Sequence, residues 1–105
     1  MSGRIADDVL EYAPADLTTA EVLVLTALAL DAREKDRVAR YSDVESLARR
    51  TRLKPGTIRN ALSSLARRAL IIPTKDRVYR GGAHQEYLVA RLTPEHRAAV
   101  VKGTR

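Results

Sequence analysis

Between positions 55 and 71 the apolar residues Ile58, Leu62, Leu65 and Ala69 recur at intervals of four, three and four. That spacing stacks them along one side of a helix. Arg59, Asn60, Ser63 and Arg67 fall on the other side. Just upstream, Val44, Leu47 and Ala48 mark the inner face of a shorter helix over positions 43–50, and Ser42 with Glu45 has the spacing of a capping box. Arg52, Leu53 and Lys54 form the corner between the two, with Leu53 as its plug. Pro55 suits the first helical position, where its missing amide would have no partner in any case. Ala48 stands where the helices cross, and a larger side chain there would push them apart. Residues 44–71 thus predict a helix-turn-helix, with a greasy back and a front of guanidinium, amide and hydroxyl groups.

The same reading extends to both sides. Thr18 and Glu21 have capping-box spacing, with Leu17 and Val22 placed as a hydrophobic staple, so a helix is expected from about Thr18. From Val22 to Leu30 only Thr26 is polar. Apolar side chains therefore point all round the axis, and a second surface must cover what one core leaves bare. A partner subunit or the protein's own terminal helices would supply it. Positions 1–13 carry Ile5, Val9, Leu10 and Tyr12 among Asp7, Asp8 and Glu11, which fits either an amphipathic helix docked on a partner subunit or a frayed terminus. Positions 31–36 are a charged connector, and 37–41 a short strand. After Ile71 and Ile72, Pro73 confines a strand to an edge or ends it. Lys75, Arg77 and Arg80 lead into Gly81 and Gly82, and positions 86–92 alternate Tyr87, Val89 and Arg91 against Leu88, Ala90 and Leu92, which predicts a hairpin. Thr93 and Pro94 open a last helix through Ala98, Val100 and Val101, too short to stand alone and expected to pack on the helix that begins near Thr18.

The run LARRTRLKPGTIRNALSSLARRALI resembles the winged helix-turn-helix of bacterial regulators of the gluconate-regulator and multiple-antibiotic-resistance-regulator types. The flanking LTTAEVLVLTALA and RGGAHQEYLV resemble the winged-helix domains of plasmid and phage replication initiators and of small phage regulators. The likeness covers about residues 17–92. It implies a mainly α fold with a small β-hairpin, a winged helix-turn-helix, flanked by an N-terminal segment (1–16) and a short C-terminal helix and tail (93–105). It also implies a homodimer, since regulators of this fold usually pair through their terminal helices. Three residues depart from the pattern: Arg52 and Ala69 stand where glycine is usual, and Lys54 where serine is usual. Left-handed backbone, which glycine permits, costs more for arginine and alanine.

Charge sharpens the functional expectation. The chain has 105 residues, 19 lysines and arginines and 13 acids, for a net charge of +6. Residues 1–36 hold three bases and eight acids, a net of −5, whereas residues 37–105 hold sixteen bases and five acids, a net of +11. The positive field lies with the helix-turn-helix and favours a polyanion. Arginine outnumbers lysine 15 to 4, which suits forked contacts to phosphate and guanine and follows equally from GC-rich codons. One domain is expected, its core built without Phe or Trp. The absence of cysteine excludes disulfides, thiolate metal sites and a thiol nucleophile, and suits a reducing cytoplasm. No targeting or membrane-spanning segment is legible.

The front of the second helix matches the DNA major groove, whose base edges offer acceptors to Arg and a donor–acceptor pair to Asn. Arg59, Asn60, Ser63 and Arg67 are the candidate base readers. The amides of Gly56 and Thr57, the Thr57 hydroxyl and the Lys54 charge form a candidate phosphate clamp. For Thr57 the alternative is an ordinary first-turn residue. Lys75, Arg77 and Arg80, with His84 and Gln85, would let the hairpin reach a minor groove or phosphates; the alternative is a solvated tip. His84 and His96 stand in no motif that orients a nucleophile or a metal, so neither an enzyme nor a metal or cofactor site is expected. The leading expectation is a double-stranded DNA-binding protein, first a transcriptional repressor that acts by occupancy, second a plasmid or phage replication, partition or excision factor. The rival is a protein-docking module in which Arg59 and Arg67 meet acidic side chains.

Overall fold

The computed structural model describes residues 3–40, 43–79 and 82–97, and for 75–79 and 82–85 the backbone alone. Four helices precede a hairpin: α1 (Gly3–Tyr12), α2 (Thr19–Asp31), the two-residue strand β1 (Val38–Ala39), α3 (Val44–Thr51), α4 (Pro55–Arg67), β2 (Ile71–Tyr79) and β3 (Gly82–Val89). The expected mainly α architecture with a small β-hairpin is therefore present. A short helical turn at 94–97 follows. Residues 98–105, which include Ala98, Val100 and Val101, lie outside the described residues.

The hub is α2. Val24, Leu25, Leu28 and Ala29 are fully buried in it, and it touches α1, α3, α4, β1 and β3. Its start is the one expected: the Thr18 hydroxyl accepts from the Glu21 amide at 3.1 Å, and Glu21 Oε1 accepts from the Thr18 amide at 2.8 Å. The second surface on α2 is the chain's own α1. Ile5, Ala6 and Val9 turn inward from α1 and join the same core. The N-terminal segment is thus a docked helix within the fold. The covering is incomplete: Leu23 and Leu30, two turns apart on α2, keep 40% and 36% of their surface exposed, and Leu10 of α1 keeps 59%.

The cap of α3 falls one residue later than its sequence suggests. Asp43 accepts from the Ser46 amide at 3.1 Å, an acceptor as suitable as Ser42 for that place. The corner holds a sharper departure. Arg52 closes α3 with φ 66°, and Ala69 follows α4 with φ 59°, so both non-glycine residues adopt the left-handed backbone rather than avoid it. Ala69 is consequently exposed beyond the helix end and not on the buried face, where Ala61 joins Ile58, Leu62 and Leu65 instead. Side-chain crowding makes this conformation costly for any residue with a Cβ. Arg52→Gly and Ala69→Gly are each expected to raise stability by about 1 kcal/mol, read as a higher urea midpoint with an unchanged slope.

The sheet is antiparallel in the order β1-β3-β2, with Val38 and Ala39 opposite Leu88 and Tyr87, and Ile71, Ile72 and Pro73 opposite Val89, Leu88 and Tyr87. Pro73 lies inside β2, on an edge strand, as its missing amide requires. The ladder becomes irregular between Pro73 and Asp76, where the Thr74 hydroxyl donates to the Glu86 carbonyl at 3.3 Å. The strand β3 stops at Val89, short of the expected Leu92, because Arg37 intervenes. Its Nε and Nη2 donate to the carbonyls of Val89 and Ala90 at 2.9 and 3.0 Å, and its own carbonyl accepts from the Val89 amide. Burial, together with the nearby charge of Arg91, lowers the Arg37 pKa from its ordinary value.

Candidate nucleic-acid interface

The exposed side of α4 follows from the residues that bury the other side. With about 3.6 residues per turn, Ile58, Ala61, Leu62 and Leu65 occupy one sector, and Gly56, Asn60, Ser63 and Arg67 stand opposite them. Those four are exposed, as are Lys54 and Arg59, while Thr57 is half-buried. Arg59 lies on the flank toward the sheet, and Thr57 and Ser64 on the flank toward α2. The candidate base readers Arg59, Asn60, Ser63 and Arg67 are thereby brought onto one solvent-facing surface, with the start of the helix at its edge. Among the described residues none of Lys54, Arg59 and Arg67 takes part in an ion pair or a side-chain hydrogen bond.

At the start of α4, Lys54 is the cap residue and offers no side-chain acceptor, and Pro55 takes the first position. The next amides, those of Gly56 and Thr57, lie in the first turn, where helices leave donors without internal partners. A Cβ built on Gly56 would meet nothing within 4 Å, so this glycine makes room for nothing in its own chain.

The flank toward α2 carries a contact that periodicity did not reveal. Thr18, Ala20 and Glu21 face Thr57, Asn60, Ala61, Ser64 and Arg67 across a shallow groove. Burial, the largest influence on the Glu21 carboxyl, would raise its pKa, but hydrogen bonds from Ser64 and Thr18 together outweigh it and hold the group below its ordinary value. Further along, Arg68 donates to Asp16 at 2.8 Å, and this hydrogen bond lowers the Asp16 pKa. Of the adjacent Arg67 and Arg68, then, one is committed to the fold and the other is not. Compared with known proteins, the chain matches no family model, no curated protein and no solved structure.

The structure also adds basic residues that the sequence reading left out. Arg49 and Arg50 end α3, Arg52 closes it, and all three are exposed next to Lys54 in the chain. Only their charge marked them beforehand. On the hairpin, Lys75 and Arg77 belong to β2; Arg77 lies opposite His84 of β3, and Lys75 falls in the irregular stretch between Pro73 and Asp76. The side chains of Lys75 and Arg77, and Arg80 altogether, lie outside the described residues, as do the side chains of His84 and Gln85. His96 is used locally: its Nδ1 accepts from the Thr93 amide at 3.0 Å, closing the turn at 94–97. Arg97, one residue on, donates to the Leu10 carbonyl at 3.0 Å and ties that turn to α1.

Proposed function

We propose that this protein binds double-stranded DNA at specific sites, as a winged helix-turn-helix in which α3 and α4 are the paired helices and the β2–β3 hairpin is the wing. The observation that carries the reading is the exposed row on α4, where Arg59, Asn60, Ser63 and Arg67 stand together and Arg59 and Arg67 have no ionic partner among the described residues. A guanidinium held unpaired beside an amide and a hydroxyl suits the mixed donors and acceptors of the major groove. The net charge of +11 over residues 37–105 supplies attraction to phosphate. Binding by this arrangement acts by occupancy, most simply as a transcriptional repressor, with marking of a replication, partition or excision locus as the other outcome of the same binding.

The protein works as a homodimer in this reading, with Leu10, Leu23 and Leu30 as the apolar surface offered to the second copy. Two copies on one duplex call for half-sites one helical turn apart, near 10 base pairs. The test is to sequence genomic fragments retained by the purified protein at about 0.15 M salt, where phosphate-only binding is weakened. A repeat upstream of a small set of genes is expected. Clustered repeats at an origin or partition locus would favour the replication or maintenance role, and an asymmetric site bound by one copy would remove the dimer. Retention of no DNA would sink the reading and turn attention to acidic protein partners.

A further inference from the structure

A second groove opens on the other flank of α4. Its floor is apolar, made by Val44 of α3, Leu62 and Ala66 of α4, and Pro73 and Tyr87 of the sheet, and Arg59 and Ser63 form its rim on the α4 side. Pro73 and Tyr87 face each other across β2 and β3, so the floor joins helix and hairpin in one surface. Val44, Ala66 and Tyr87 are partly buried against the core and leave part of their surface open to the groove.

We propose that this groove receives the 5-methyl group of a pyrimidine that neighbours the base pair read by Arg59. The proposal rests on the DNA reading and narrows it to a base step. The major-groove edge of DNA is polar except at one place, the methyl group at C5 of thymine, which protein recognises by apolar contact. An apolar floor bordered by an unpaired guanidinium and a hydroxyl therefore matches a methyl group next to a guanine, whose O6 and N7 accept both arms of an arginine fork. A charged occupant gains nothing from such a floor, because its aliphatic side chains and the Tyr87 ring carry no charge, and the guanidinium of Arg59 and the hydroxyl of Ser63 are at the rim. The same chemistry is offered by thymine and by 5-methylcytosine, and both lie in the major groove at the same position.

The experiment replaces single thymines by deoxyuridine in the duplex selected by the native protein, which deletes one methyl group and changes nothing else. One substitution next to a guanine is expected to weaken binding about fourfold, the factor corresponding to about 0.8 kcal/mol for one buried carbon. At that position a 5-methylcytosine duplex should bind more tightly than its cytosine counterpart by a similar factor; an effect for thymine alone would identify thymine as the source. Ala66→Ser puts a hydroxyl on the floor and should bring the thymine-to-uracil ratio close to one. If a preferred sequence exists but every thymine tolerates uracil, the groove assignment is wrong and the DNA reading stands. A ratio unchanged by Ala66→Ser places the methyl elsewhere and likewise overturns the assignment. If no duplex sequence is preferred, the DNA reading fails and the groove assignment falls with it.

Discussion

Arg59→Ala is expected to cost about 1 to 3 kcal/mol of binding free energy on the selected duplex, roughly a 5- to 150-fold loss of affinity, and to relax the preference at one base pair only. The residue is exposed, stands on the rim of the α4 surface and has no partner among the described residues, so its removal leaves no unpaired carboxylate behind. Asn60→Ala should behave alike at a different base pair, since its amide lies farther round the helix and matches adenine. Titrations against a panel of single-base variants, at fixed salt, separate this outcome from a uniform loss. A uniform loss with a salt slope reduced by about one would reassign Arg59 to a phosphate. Unchanged binding of every sequence would exclude α4 as the reader.

The second large effect lies far from that surface. Val9→Asp should unfold the protein or leave it barely stable, whereas Leu10→Asp should leave the fold of each copy intact and cost far less, weakening only the pairing of copies. Val9 is 1% exposed in the seam between α1 and α2, while its neighbour Leu10 is 59% exposed. A carboxylate placed at Val9, 1% exposed in an apolar seam, must be desolvated or protonated, at a cost of several kcal/mol. That is a large part of the roughly 5–15 kcal/mol that holds a small domain together. Urea unfolding followed by circular dichroism reads both variants. Equal midpoints would show that α1 does not pack on α2 in solution.

The contrast between Val9 and Leu10 shows what a linear reading can reach. The pattern over positions 1–13 was amphipathic, so an apolar face was legible, but its address was not. A partner subunit and the chain's own α2 present the same kind of surface to that face. The apolar excess on α2 was equally legible from the lone Thr26 between Val22 and Leu30. Only the packing of α1, α3, α4 and the sheet around α2 divides that excess into a covered part, with Val24, Leu25 and Leu28, and an exposed stripe at Leu23 and Leu30.

The candidate site divides in the same way. Helical period alone put Arg59, Asn60, Ser63 and Arg67 on the side away from Ile58, Leu62 and Leu65, and the structure exposes all four, with Arg59 on the flank toward the sheet. Period did not separate Arg67 from Arg68. The Asp16 carboxylate that engages Arg68 is fifty-two residues away, and no local signal reports a contact of that span. Nor could it reveal the Glu21–Ser64 contact, or the groove whose floor combines residues from α3, α4, β2 and β3.

By itself the sequence determined what depends on neighbours within a turn or two: the capping box at Thr18 and Glu21, Pro55 at the first position of α4, the inner and outer faces of α4, and the restriction of Pro73 to an edge or a strand end. These are governed by backbone hydrogen bonding and by 3.6- and 2-residue periods, which act over a few residues. The tertiary structure decided what depends on which surfaces meet. It folded α1 onto α2, ended β3 at the Arg37 clamp, held Arg52 and Ala69 in left-handed backbone despite their side chains, and bonded Arg68 to Asp16 while leaving Arg67 without an ion pair among the described residues. Each of those outcomes is set by packing and ion pairing between distant segments, whose gain outweighs a local preference of about 1 kcal/mol.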